Sequence, residues 1–101
     1  MALTPETKVK RAVNKLLSEA GVYSFMPPAN GYGRAGIPDI ICCIDGQFVG
    51  IECKAGKGKT TILQDREISA INNAGGIAFV INETNIEYVS EIIKAIRSRK
   101  K

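Results

Sequence analysis

Apolar positions after Thr4-Pro5-Glu6 recur at Val9, Val13, Leu16, Leu17 and Ala20, the spacing of one helical face. Thr4 suits the N-cap and Pro5 the first helical position, and Gly21 closes the segment. Val22 to Met26 has the length of a short strand, and Pro27 to Gly36 is a proline- and glycine-rich loop carrying Arg34. Two compact apolar runs follow, Asp39 to Ile44 and Gln47 to Lys54. The Asp45-Gly46 pair between them predicts a two-residue hairpin turn. After a basic loop from Ala55 to Thr60, Thr61-x-x-Gln64 has the form of a capping box and predicts a helix to about Ala74, stopped by Gly75-Gly76. Ile77 to Ile81 reads as a buried strand. Thr84-x-x-Glu87 predicts a second capping box, opening a helix with apolar positions Ile86, Val89, Ile93 and Ile96 and a basic tail from Arg97 to Lys101. The order is helix, three strands, helix, strand, helix: an α/β sandwich, expected to be one domain over residues 1–101.

Composition narrows the chemistry. Fourteen lysines and arginines against ten acidic residues leave a net charge of +4, which leans toward a polyanionic partner. Histidine is absent, which excludes Ser-His triads, HExxH zinc hydrolases and histidine-centred nuclease motifs. Any catalysis must run on carboxylates, lysine or thiols. Cys42, Cys43 and Cys53 are odd in number and form no C-x-x-C pair, so we expect buried small hydrophobes in a reducing, cytoplasmic setting. No signal peptide is recognisable, and no apolar run approaches the roughly 20 residues needed to span a bilayer, so no membrane partner is expected.

The hairpin brings acids together. With Asp45 and Gly46 as turn residues, Ile44 faces Gln47, and counting back pair by pair sets Asp39 opposite Glu52. Like charges on directly opposed positions destabilise a sheet unless one protonates or a cation lies between them. Two carboxylates suit a hard divalent ion such as Mg²⁺. Side chains alternate along a strand, so Lys54 shares the face of Glu52 and can orient or help activate an attacking water. Glu6 falls within about 20° of Val13 on the apolar face of the first helix, an inward acid in want of a partner. Gln64 has two readings: it bonds back to the Thr61 backbone as a cap, or it points from its helix toward the acidic pair.

These residues resemble a known pattern. Gly36-Ile37-Pro38-Asp39 followed by Glu52-Cys53-Lys54 is similar to the PD-(D/E)xK signature of metal-dependent nucleases. With Glu6 in the first helix, the Gln64 helix and the Gly75-Gly76-Ile77 entry to a last core strand, the chain resembles the virus-type replication-repair nuclease (VRR-NUC) domain from about Glu6 to Ile81. The resemblance implies a restriction-endonuclease-like α-β-β-β-α-β core, here with an added C-terminal helix. It also implies Mg²⁺ or Mn²⁺ held by Asp39, Glu52 and the Cys53 carbonyl, a catalytic Lys54, and Glu6 acting through metal-bound water. Small standalone viral members of that family act, like archaeal Holliday junction resolvases, as homodimers on branched DNA, so the expected activity is cleavage of four-way junctions or flaps. Two other readings stay open: a DNA-binding module that does not cut, and a restriction-like, nicking or RNA-directed nuclease.

Other features carry less. Gly58-Lys59-Thr60 lacks the first glycine of a phosphate loop, since Cys53 stands there. Lys57 and Lys59 are candidate phosphate contacts or simply a solvated loop. The stretch Gly31-Tyr32-Gly33-Arg34-Ala35-Gly36 reads as a loop in which Arg34 can meet a phosphate. Lys94, Arg97, Arg99, Lys100 and Lys101 read as a solvated helix end suited to the helix dipole.

Overall fold

The computed structural model describes residues 3–28 and 34–99. Gly31, Tyr32 and Gly33 of the glycine-rich loop, and Lys100 and Lys101 of the basic tail, lie outside the described residues. Helix α1 (Pro5–Glu19) starts as expected, the Thr4 hydroxyl accepting from the Thr7 N–H. Then come β1 (Tyr23–Phe25), β2 (Ile40–Ile44), β3 (Gln47–Cys53), α2 (Ile62–Asn73), β4 (Ile77–Ile81) and α3 (Tyr88–Ser98). The strands form one sheet in the order β1-β2-β3-β4, antiparallel at the first two pairings and parallel between β3 and β4.

The β2–β3 hairpin turns on Asp45 and Gly46, both with positive φ (49° and 86°), the conformation of a tight turn whose twist matches the flanking strands. Ile44 pairs with Gln47 and Ile40 with Ile51, the register expected from the sequence. Alternation then sorts the side chains. Ile40, Cys42 and Ile44 with Val49, Ile51 and Cys53 face a core closed by Val9, Val13 and Leu17 of α1 and by Val89, Ile93 and Ile96 of α3. Fully burying each such aliphatic side chain contributes about 1.5–3 kcal/mol. Phe48, Gly50 and Glu52 face the other way, where α2 lies close: a Cβ at Gly50 would sit 3.2 Å from Ile71 Cδ1 and 3.0 Å from Pro38 Cγ.

Two asparagines close the free edge of β4. Asn72 of α2 donates to the Ala78 carbonyl (3.1 Å) and accepts from its N–H (2.9 Å), and Asn85 donates to the Val80 carbonyl (3.4 Å). These bonds replace the ladder that a further strand would make.

Three expectations need correction. Thr84-x-x-Glu87 does not cap α3: the Asn82 side chain accepts from both the N–H (2.8 Å) and the hydroxyl (2.6 Å) of Thr84, making a turn, and α3 opens four residues later with no side-chain cap at Glu87. Ile86 still packs on the core from that turn. Cys43 is exposed rather than buried, because it points to the face that α2 leaves open. Arg97 is not a solvated end: its guanidinium donates to the Ala20 carbonyl at 2.7 Å and lies 3.7 Å from Asp45, tying α3 to the end of α1 and to the hairpin turn. No helix among the described residues is long and apolar enough to cross a membrane.

Candidate active site

Where β2 begins and β3 ends, the sequence places Asp39 one residue ahead of its strand and Glu52 one residue before the end of the other. Asp39 Oδ2 accepts from the Cys53 N–H at 2.8 Å, which fixes the carboxylate beside Glu52. Its other oxygen, Oδ1, lies 3.5 Å from Lys10 Nζ. Glu52 is only 2% exposed, the one buried charged residue among the described residues. Its Oε2 accepts from Gln64 Nε2 at 2.9 Å and lies 3.2 Å from Lys54 Nζ. Its Oε1 is buried without a hydrogen-bond partner.

That arrangement holds Glu52 at odds with its charge. Burial, then the Asp39 carboxylate, pushes its pKa from 4.5 to about 7, against the opposing pull of Lys54. A buried acceptor with no donor costs about 1–3 kcal/mol. Both strains are relieved by a cation at Oε1. Among the described residues no group of three or more His, Cys, Asp or Glu side chains is placed to hold a metal ion, and Asp39 and Glu52 are the side-chain donors brought together here. Such a set suits a hard ion that keeps several waters and takes substrate oxygens.

Alternation explains the composition of the cluster. Lys54 continues β3 past Cys53, its N–H bonded to the Ile81 carbonyl of β4 at 2.9 Å, so its side chain returns to the face of Glu52. Cys53 turns its thiol into the core, where burial and then the charges of Asp39 and Glu52 push its pKa up to about 12; only its backbone reaches the site. Cys42 is likewise pushed to about 11 by burial and then by Cys43, which leaves both buried thiols protonated and unreactive.

Both readings of Gln64 hold at once. Its Oε1 accepts from the Thr61 N–H at 2.9 Å while the Thr61 hydroxyl accepts from the Gln64 N–H at 3.1 Å, completing the capping box. The remaining amide group is then aimed at Glu52. Glu6 is half-buried on α1, near enough for its charge to act on the Cys53 thiol. Lys10, one turn further along the same helix, joins the cluster although nothing in the sequence singled it out. The signal available was its i, i+4 relation to Glu6.

The proposed phosphate contacts stand apart from this cluster. Arg34 is exposed, its Nε 3.2 Å from Glu67 Oε2 on α2. Lys57 and Lys59 are exposed in the loop between β3 and α2, which is pinned where the Gly56 N–H donates to the Glu83 carboxylate at 2.7 Å.

Comparison with known proteins places this geometry. A family model described as archaeal Holliday junction resolvase (hjc) matches residues 6–95. A solved structure titled VRR_NUC domain superposes with a TM-score of 0.71 at 21% identity, over 91% of this chain and 97% of that one. Another, a VRR_NUC domain protein, gives 0.65 at 23% identity over 96% and 88%. No curated protein matches the chain. The resemblance to VRR-NUC domains therefore holds as a likeness of fold, and the acidic pair, Lys54 and Gln64 all fall inside the segment matched by the family model. The chain belongs to the archaeal Holliday junction resolvase (Hjc) family of PD-(D/E)xK nucleases.

Proposed function

We propose that this protein is a metal-dependent DNA endonuclease that resolves four-way junctions, with Asp39, Glu52 and the Cys53 carbonyl as the ligands of one Mg²⁺ or Mn²⁺ ion. The observation that carries the reading is the buried, partnerless Glu52 Oε1 beside a second carboxylate. The ion, when bound, supplies a Lewis acid for the scissile phosphate and lowers the pKa of a water for in-line attack.

The chain's own groups do the rest. Lys54, whose ammonium is held against Glu52, would orient the attacking water and offset charge developing on the phosphate. Gln64 fixes Glu52 so that Oε1 stays presented. Glu6, half-buried on α1 and close enough to act on Cys53, would act through a water bound to the ion. The exposed Lys57 and Lys59, and Arg34 beside Glu67 of α2, are candidate contacts for flanking phosphates, and the net charge of +4 favours such a partner. Two symmetric cuts are needed to resolve a junction and each chain carries one such site, so the acting species is a homodimer.

The test is cleavage of labelled four-way junctions, flaps, duplex and single strands, DNA and RNA, in Mg²⁺ or Mn²⁺. Paired symmetric nicks across the junction are expected, with Asp39→Ala and Lys54→Ala each lowering the rate at least about 10²-fold, the scale of losing one electrostatic group in a site. Junction binding without metal-dependent cleavage by the wild type would mark a binding module instead. Scattered duplex cuts, or preferential cutting of RNA, would change the substrate.

A further inference from the structure

The four oxygens of the acidic pair are not held alike. Asp39 Oδ2 and Glu52 Oε2 are fixed by short hydrogen bonds, from the Cys53 N–H at 2.8 Å and the Gln64 amide at 2.9 Å. Glu52 Oε1 has no partner. Asp39 Oδ1 has Lys10 Nζ at 3.5 Å, well beyond the roughly 2.7–2.9 Å of a tight charge-assisted hydrogen bond. The two oxygens left for a cation are therefore one that nothing holds and one held loosely by a lysine.

We propose that Lys10 is an exchangeable cation of this site: it stands on Asp39 Oδ1 until a divalent ion takes that oxygen, and then turns outward to bind a phosphate of the DNA. The inference rests on the metal-site reading above. Lys10 is suited to the exchange. Its side chain is 29% exposed, so the ammonium already reaches solvent at the rim. Its flexible four-carbon stem can redirect the charge without moving α1, which Val9 and Val13 anchor in the core. An ammonium and a divalent ion repel each other at a shared oxygen, so occupation by one expels the other. The arriving phosphate supplies the displaced ammonium with a new acceptor. Metal and DNA then favour each other's binding, because each removes a competitor of the other.

Lys10 thus differs from Lys54, which is mostly buried and lies on an oxygen that the Gln64 amide already fixes. In the ion's absence the two ammonium groups share the work of offsetting a pair of neighbouring carboxylates. In its presence only Lys10 has reason to leave.

The experiment titrates Mn²⁺ calorimetrically into the full chain without DNA, for the wild type, Lys10→Met and Lys10→Arg, with circular dichroism as a check of folding. Removing the competing charge is expected to tighten Mn²⁺ binding at least about threefold in Lys10→Met, while Lys10→Arg stays near the wild type. At saturating Mn²⁺, Lys10→Met should cleave a labelled four-way junction with kcat/KM lowered about tenfold. Its log–log salt slope should be shallower by about 1, the signature of one lost phosphate contact. Mn²⁺ binding that is unchanged or weaker in Lys10→Met, or unaltered cleavage at saturating Mn²⁺, would overturn the exchange. Absence of Mn²⁺ binding by the wild type would overturn the metal site itself, which separates the two failures.

Discussion

Glu52 is the residue on which the site's energetics turn. Its pKa of about 7, against an ordinary 4.5, means the folded chain binds more protons than the unfolded chain between those values. The contribution of Glu52 to the stability of the metal-free protein should therefore be fully present below about pH 4.5 and be lost as pH rises to about 7. Glu52→Gln keeps the shape and removes the charge. In chelator at pH 8 its melting temperature should exceed the wild type's by at least about 4 °C, the shift expected of about 1 kcal/mol in a domain of this size, while cleavage is abolished. Thermal melts from pH 4 to pH 9 check both the direction and the window; a wild type that gains stability on this rise would contradict the account. At this scale the sequence showed a good deal. Asp39, Glu52 and Lys54 were legible because a two-residue turn fixes cross-strand pairing and alternation fixes the face, both of which are local. Lys10 was not, since its i, i+4 relation to Glu6 marks only a shared helix face, and its approach to Asp39 depends on how α1 docks across the sheet.

Among the elements, α2 links helix formation to chemistry. One amide side chain both closes the capping box with Thr61 and steadies Glu52. Gln64→Glu separates the two jobs, because glutamate serves the capping box equally well yet cannot donate to a carboxylate. Helix content by circular dichroism should be unchanged, while the cleavage rate falls at least about tenfold as a third acid meets Glu52. Equal cleavage would mean the Gln64–Glu52 bond is incidental. The start of α2 was readable from Thr61-x-x-Gln64, whereas the same pattern at Thr84-x-x-Glu87 misled. There the Asn82 side chain accepts from both the N–H and the hydroxyl of Thr84, holding it in a turn four residues ahead of the helix, out of reach of the N–H groups it would have to cap. The loop before Asp39 is fixed by a related close contact. Gly36, at φ 90°, passes so near the first turn of α2 that a Cβ would meet the Leu63 carbonyl at 2.5 Å, which seats the signature segment against the helix that carries Gln64.

For the whole molecule, the half of the sheet that α2 leaves bare is the surface to which the proposed homodimer points. The register sets Tyr23, Cys43 and Phe48 in one row and Phe25 and Ile41 in the next. Tyr23, Phe25 and Phe48 are 72%, 49% and 47% exposed. At roughly 150–250 Å² per aromatic side chain, they present about 250–400 Å² of apolar surface. A standard interface takes about 800 Å² from each partner with its most apolar part at the centre, so in the proposed homodimer this patch would supply the middle of a self-complementary contact. Phe25→Asp should halve the mass measured by light scattering and abolish paired nicks while leaving Mn²⁺ binding intact. A variant that keeps the dimer mass would place the contact elsewhere. The sequence could not reveal this face, because exposure of Cys43 and Phe48 depends on how far α2 reaches across the sheet.

The asparagine bonds at Ala78 and Val80 bear on how such copies can meet. With those backbone groups already satisfied, an approaching chain finds no template there on which to lay down an extra ribbon. At the opposite margin β1 offers only three residues. Contact between flat faces related by a two-fold axis ends with two molecules, whereas joining rim to rim would continue without limit. If copies associate as proposed, the side chains that finish the sheet would thereby steer them toward a pair and away from a fibre.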